Sequence, residues 1–262
     1  MSQQLTYSIK TNCSDCNFVI LINDRPVINF NRGTNIKTEI PINVFLKDGT
    51  NIFACKVVPP KDQDILSESA FLKITIIENN ENADNPVREV SVFNTPSFKL
   101  EDDDPPYTQY SLDGKFTTSI LFSSVLSSGF DLKNIEYLHN ELFQAYMVLW
   151  QAFKSGNIDT VMRLLALKIK ESAGLKGTPL FEMEKEMRAD YLHYMSDSTL
   201  QLWEFTPDKV FLKIYGNNKL ACLEVKNGQQ PICFINREEH LAIYIPVFFY
   251  RNPQNQMLEI IR

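Results

Sequence analysis

The segment Asp131–Phe153, DLKNIEYLHNELFQAYMVLWQAF, carries the plainest structural signal in the chain. Ile135, Leu138, Leu142, Ala145, Leu149 and Ala152 recur at three- and four-residue steps, which aligns them in one apolar stripe. The spacing predicts a core helix. Upstream, the chain reads as short strands and turns; downstream, as two more helices followed by long strands. Architecture changes here, so two domains are expected, over 1–95 and 131–262, with a connector over 96–130.

Composition agrees with a folded chain of that size. The 262 residues are long enough for each half to bury its own core, and 44% hydrophobic with 22% charged residues is far from a disordered composition. The formal charge is −6. Counted across Phe130, 11 basic residues face 16 acidic ones before it and 15 face 16 after it, so the acidity belongs to the first half. Without a basic cluster, neither nucleic acid nor an anionic membrane surface is an expected partner. The best apolar run, Leu241–Tyr250, falls short of a membrane span and contains Pro246, so it reads as a strand. MSQQLTYSIKTNCSDC lacks a secretory signal pattern, which makes the cytoplasm the expected location, or the periplasm if a signal was removed. Five cysteines are sparse and odd in number, unlike a disulfide framework.

In the first half, Leu5–Thr11, Asn17–Asn23, Lys37–Leu46, Asn51–Val58, Ala70–Glu78 and Val87–Asn94 are apolar or alternating runs of strand length. Asn23-Asp24, Arg32-Gly33, Asp48-Gly49 and Pro59-Pro60 punctuate them. Ile40, Ile42 and Val44, then LKDGTN, then Ile52, Ala54 and Lys56 read as a hairpin with Asp48-Gly49 at its tip. A strand, DGTN, and a strand ending in a proline pair resemble the immunoglobulin-like and jelly-roll accessory modules of bacterial proteins, which implies an antiparallel β-sandwich. Asn79–Asn85 reads as a loop, and Pro96 to Pro106 encloses the acidic run Glu101, Asp102, Asp103 and Asp104, which cannot build a core. Phe116–Leu126 fits a strand or a short helix equally well.

In the second half, Asn157 is placed to cap a helix striped by Ile158, Val161, Met162, Leu165 and Ile169, which Gly174 and Gly177 end. Thr178-Pro179 opens a third helix carrying Leu180, Met183, Met187, Tyr191 and Tyr194. Six strand candidates follow: Leu200–Phe205, Lys209–Tyr215, Lys219–Lys226, Gln230–Asn236, His240–Tyr250 and Met257–Arg262. Asn227-Gly228 is the strongest single hairpin signal, and short connections imply an antiparallel meander, hence an α+β fold. This order of elements, with LWQAFKSGNIDTVMRLLALKIKES closing the first helix and opening the second, resembles the nuclear-transport-factor-2-like cone fold. The resemblance implies three helices against a curved antiparallel sheet over 131–262. The sheet segment departs from that family's enzymes in lacking an ionisable pair at alternating inward positions.

No phosphate-binding glycine loop, nucleophile elbow or HExxH motif is present. Cys13-Ser-Asp-Cys16 has redox spacing but sits between strands rather than at a helix start, so the plainer reading is two turn cysteines. Cys222 and Cys233 flank Asn227-Gly228 symmetrically and are expected opposite one another. For a cone-fold enzyme or small-molecule binder, the pocket candidates are Tyr146, Asp159, His193 and Asp197. Asp159 serves equally as a first-turn charge favouring the helix dipole, and the tyrosines as core or rim. Phe248-Phe249-Tyr250 must show aromatics on both faces of one strand, so Phe248 and Tyr250 are candidates for an interface, as are Glu101 to Asp104. The expectation is a non-enzymatic protein that binds another protein, of the toxin-immunity or inhibitor type found in bacterial secretion systems. It calls for no cofactor, and an acidic surface suits a basic partner. A structural component of a secretion or surface assembly is the third reading.

Overall fold

The computed structural model describes residues 5–80, 87–99, 105–120, 129–226 and 228–261. The chain is mixed α+β, with four helices and four antiparallel sheets among the described residues, and it divides into two compact units, Met1–Ser123 and Ser124–Arg262.

The first unit has eight strands: β1 (Thr6–Ser14), β2 (Asn17–Ile22), β3 (Arg25–Phe30), β4 (Ile36–Pro41), β5 (Gly49–Val58), β6 (Phe71–Asn79), β7 (Val87–Asn94) and β8 (Tyr110–Thr118). They form two four-stranded sheets, ordered β4-β1-β6-β7 and β3-β2-β5-β8. Alternation works as pleating requires: Phe18, Ile20 and Ile22 on β2, and Asn51, Phe53, Cys55 and Val57 on β5, are buried. Buried side chains from both sheets share one hydrophobic cluster, among them Ile9, Ile74, Phe18 and Phe53.

Two expectations fail in this unit. Lys37–Leu46 and Asn51–Val58 do not form a hairpin, because β4 pairs with β1 while β5 pairs with β2 and β8. Asp48-Gly49 therefore serves a passage between sheets. Polar side chains hold that passage: Asn43 accepts from the Tyr7 N–H at 2.6 Å and donates to the Leu5 carbonyl at 2.9 Å. Fully buried Asn51 accepts from the Lys47 N–H at 2.9 Å and donates to the Lys47 carbonyl at 3.0 Å. Thr118 receives a further bond from Asn51 at 2.8 Å. With its backbone groups satisfied locally, the passage needs no strand partner.

Nor is 96–130 a plain connector. Phe98 is buried edge-on to Tyr107 and Tyr110, and β8 pairs with β5 from Gly49↔Thr118 to Val57↔Tyr110. The acidic, proline-bounded run obscures the apolar residues on either side of it; Glu101, Asp102, Asp103 and Asp104 themselves lie outside the described residues. Gly114 on β8 is required by contact, since a Cβ there would sit 2.1 Å from the Phe93 ring, which stacks on Phe53 at 4.3 Å.

The second unit opens with α1 (Leu138–Lys154), shorter than its periodic stretch because Tyr137 is left-handed with φ 65°. Leu138, Leu142, Tyr146, Leu149, Ala152 and Phe153 make its buried face. The next stripe is two helices, α2 (Ile158–Leu164) and α3 (Ala166–Lys176), broken at Leu165. Asn157 caps α2 by accepting from the Thr160 N–H at 3.0 Å, and left-handed Gly177 ends α3, with Gly174 inside the helix. Then comes α4 (Leu180–Ser196).

The strands that follow are β9 (Gln201–Leu202), β10 (Phe211–Tyr215), β11 (Leu220–Glu224), β12 (Cys233–Asn236), β13 (Leu241–Tyr244), β14 (Phe249–Arg251) and β15 (Leu258–Ile260). They form two sheets, β10-β11-β14-β15 and β13-β12-β9, not one meander. β11 and β12 lie in different sheets, so the turn at Gly228, with Asn227 outside the described residues, joins no paired strands. Cys222 consequently stands opposite Lys213, and Cys233 opposite Tyr244. His240–Tyr250 divides into β13 and β14 around Pro246, which has no N–H to give a ladder.

Candidate functional site

The sequence-derived pocket residues do not converge. Tyr146 is fully buried in the core, its hydroxyl 3.0 Å from the Val247 carbonyl and 3.3 Å from Gln230 Oε1 while accepting from the Leu223 N–H at 3.3 Å. Burial holds its phenol well above the ordinary range. Asp159 sits exposed in the first turn of α2, paired with Arg188 at 2.9 Å. His193 is exposed near the end of α4, its ring 6.0 Å from that of Tyr194. Asp197 caps α4, and its carboxylate accepts from the Thr199 hydroxyl at 2.7 Å and N–H at 2.8 Å, which lowers its pKa. Two of the four are thus terminal or first-turn carboxylates and one is a core phenol.

The aromatic run also differs from an exposed interface. Phe249 packs into the main core with α1, whereas Phe248 and Tyr250 point to the opposite face, as strand alternation requires. Both are nevertheless buried, in a cluster with Leu220, Cys222 and Ile261. The Tyr250 hydroxyl donates to Glu259 at 3.2 Å.

What the fold does assemble is a cleft of about 130 Å³ where α3 and α4 meet the end of β13. Lys168 comes from α3, Asp190, Tyr191 and Tyr194 from α4, and Tyr244 and Pro246 from β13 and the residues after it. Tyr191 anchors one wall, edge-on to Phe153 at 5.6 Å, and Tyr194 leans on Phe234 of β12 at 5.9 Å. The Lys168 ammonium donates to the Pro246 carbonyl. Burial lowers its pKa to about 8. A half-desolvated ammonium beside aromatic walls offers a charge-assisted bond to a carbonyl or carboxylate oxygen.

Among the described residues β13, Leu-Ala-Ile-Tyr, stands at the edge of its sheet, with no charged residue within it. Leu241 and Tyr244 are 44% and 40% exposed. Edge strands are ordinarily guarded by charges, prolines or bulges, and an unguarded one is suited to receive another strand. Across the cleft, α4 buries only Met183 and Tyr191 and leaves Leu180, Phe181 and Leu192 exposed. The sequence concealed this arrangement because Lys168 carries no local signal of its own and β13 falls within the longer run His240–Tyr250. The only advance signal was the tyrosine pair at the end of α4.

A second, open cleft of about 440 Å³ lies among α1, α2, α3 and β15, lined chiefly by Ala145, Val148, Leu164 and Leu258, with Arg163 and Glu259 at polar positions. Among the described residues, no group of three His, Cys, Asp or Glu side chains is arranged to hold a metal ion, and no helix is long and apolar enough to cross a membrane. Comparison with known proteins finds no matching family model, no matching curated protein and no matching solved structure.

Proposed function

We propose that the protein acts by binding another protein, without catalysing a reaction, and that the β13 edge with the adjoining α4 cleft is the binding surface. The observation that carries this reading is an uncharged edge strand with exposed Leu241 and Tyr244 beside an aromatic cleft holding Lys168. A partner segment in extended conformation would add to β13 through its main chain and seat side chains against Tyr194 and Tyr244. In the same proposal the first unit is a β-sandwich and the second a cone-like α+β domain, a reading supported by two antiparallel sheets sharing one cluster and by helices that share a core with antiparallel strands. The specific version is a toxin-immunity or inhibitor protein of a bacterial secretion system, with Glu101 to Asp104 meeting a basic partner surface.

The test is affinity capture of the tagged full chain from its native cells, at low and high salt, alongside Leu241→Lys and Tyr194→Ala variants. One stoichiometric protein, held by the parent chain and lost by Leu241→Lys, is the expected result. Capture that is empty, or equal for parent and variants, overturns the assignment of the surface. Loss at high salt alone points to the acidic run. The open cleft of about 440 Å³ favours a second reading, a small-molecule binder, because its volume falls in the range of ligand sites. Ligand screening by thermal shift, repeated with Ala145→Trp to fill that cleft, tests it.

A further inference from the structure

We infer that Cys13 and Cys16 form a reversible redox site in the first unit, a buried dithiol that a hydroperoxide converts to a disulfide and a small thiol reductant restores. The two sulfurs stand 3.3 Å apart, and both residues are buried, at 1% and 0% exposure. They need close by only about an ångström to reach the bonded separation of about 2.05 Å. They sit where the chain leaves β1 in one sheet and enters β2 in the other, at a corner turned by left-handed Asp15 with φ 50°.

That corner is held from several sides, so the sulfurs face one another by construction. Ser14 donates to Asn35 Oδ1 at 2.8 Å, and Asp15 accepts from the Ser69 hydroxyl at 2.6 Å. The Cys16 thiol lies 3.6 Å from the Phe71 carbonyl, and that of Cys13 3.4 Å from the Cys16 carbonyl. The hydrogen bond between the sulfurs lowers the Cys13 thiol and raises that of Cys16, which separates their roles.

The chemistry balances with a hydroperoxide as oxidant. The Cys13 thiolate attacks the terminal peroxide oxygen, forming an S–O bond as the O–O bond breaks and the other oxygen leaves as hydroxide from hydrogen peroxide or as alkoxide from an organic hydroperoxide. The Cys16 sulfur then displaces the sulfenic hydroxyl, which departs with the Cys16 proton as water, and the S–S bond forms. The two sulfurs together lose two electrons, and the peroxide gains them. An external thiol reverses the change by exchange through a mixed disulfide and is itself oxidised. Because both thiols are buried, each direction proceeds through local opening of the corner. Cys55 on β5 is the competing neighbour, its thiol pushed up to about 12 by burial first and the charge of Cys13 second.

Tryptic digestion separates the possibilities, because Thr11–Arg32, uncut at Arg25-Pro26, carries Cys13 and Cys16 together while Asp48–Lys56 carries Cys55. The reduced full chain is treated with hydrogen peroxide, denatured, alkylated and mapped by mass spectrometry, with and without later reduction by dithiothreitol. The expected product is an unalkylated Thr11–Arg32 peptide lighter by two hydrogens, which becomes doubly alkylated after reduction, while Cys55, Cys222 and Cys233 alkylate throughout. Cys55→Ser should keep this product, and Cys13→Ser and Cys16→Ser should each abolish it. A doubly alkylated Thr11–Arg32 after peroxide overturns the inference. So does cross-linking to Asp48–Lys56, or irreversible sulfinic or sulfonic acid at either residue. The mapping on the parent chain decides the matter even if a serine variant misfolds.

Discussion

Replacing Tyr146 with Phe separates a core phenol from a catalytic one. The substitution keeps the ring, which packs 5.2 Å from Phe249, and deletes only the hydroxyl. That hydroxyl is fully buried, lies 3.0 Å from the Val247 carbonyl and is the acceptor for the Leu223 N–H at 3.3 Å. A neutral hydrogen bond contributes about 1 kcal/mol net, and a buried donor left without an acceptor costs about 1–3 kcal/mol, so the loss should be about 2–4 kcal/mol. Unfolding is best followed by tryptophan fluorescence in urea, because the chain's two tryptophans, Trp150 and Trp203, both lie in the second unit. With a slope of about 2 kcal/mol per molar urea, the midpoint should fall by about 1–2 M without a change in slope. A midpoint within about 0.3 M of the parent chain would refute the reasoning, since that shift is worth less than one hydrogen bond. In the competing picture, a pocket tyrosine, the variant would lose a ligand or an activity and keep its stability.

In the first unit, Asn51→Ala leaves the Lys47 N–H without its acceptor in the sheet-crossing passage, while the Lys47 carbonyl keeps the bond from the Thr118 hydroxyl at 2.9 Å, and should cost about 2–4 kcal/mol, read from denaturation followed by circular dichroism. Wild-type stability after Asn51→Ala would mean that the passage is not held by this side chain. Lys168 makes a pH-dependent prediction: burial lowers its folded pKa from 10.5 to about 8, so the unfolded chain binds more protons between those values. Stability contributed by this group therefore rises with pH across that window. The parent chain should show a steeper rise in urea midpoint from about pH 8 to about pH 10.5 than Lys168→Met, and identical slopes would show that the ammonium is not desolvated.

The element types were largely readable from the residues. The stripe through Leu138, Leu142 and Leu149 meant a buried helix, Asn157 meant a cap, and the alternation of Asn17–Ile22 meant a strand, because each depends only on neighbours within a turn or a pleat. Strand partners were not readable in this way. Asp48-Gly49 and Asn227-Gly228 carry hairpin chemistry in the sequence, yet Asp48-Gly49 ends one passage between sheets and Gly228 lies within another. Turn residues set the local backbone, whereas the choice of partner is made by Thr118, Asn51, Phe234 and other residues far along the chain. β3 and β8 were concealed for a related reason. Arg25 is tolerable in a buried strand because the carbonyls of Val44 and Phe45 receive its guanidinium, and Gly114 in β8 is explained by the Phe93 ring lying against it.

The same division applies to the candidate sites. Cys13 and Cys16 were visible as a spaced pair, but the tertiary corner at Asp15, braced by Ser69 and Phe71, brings their sulfurs face to face. Lys168 and Tyr194 belong to different helices and share a cleft only once α3, α4 and β13 have packed. Composition and periodicity determined that this chain folds, where its helices and most strands lie, and which side of each is apolar. Packing between distant segments decided which strands pair and which polar groups meet, because those choices are settled by contacts that no local window of residues contains.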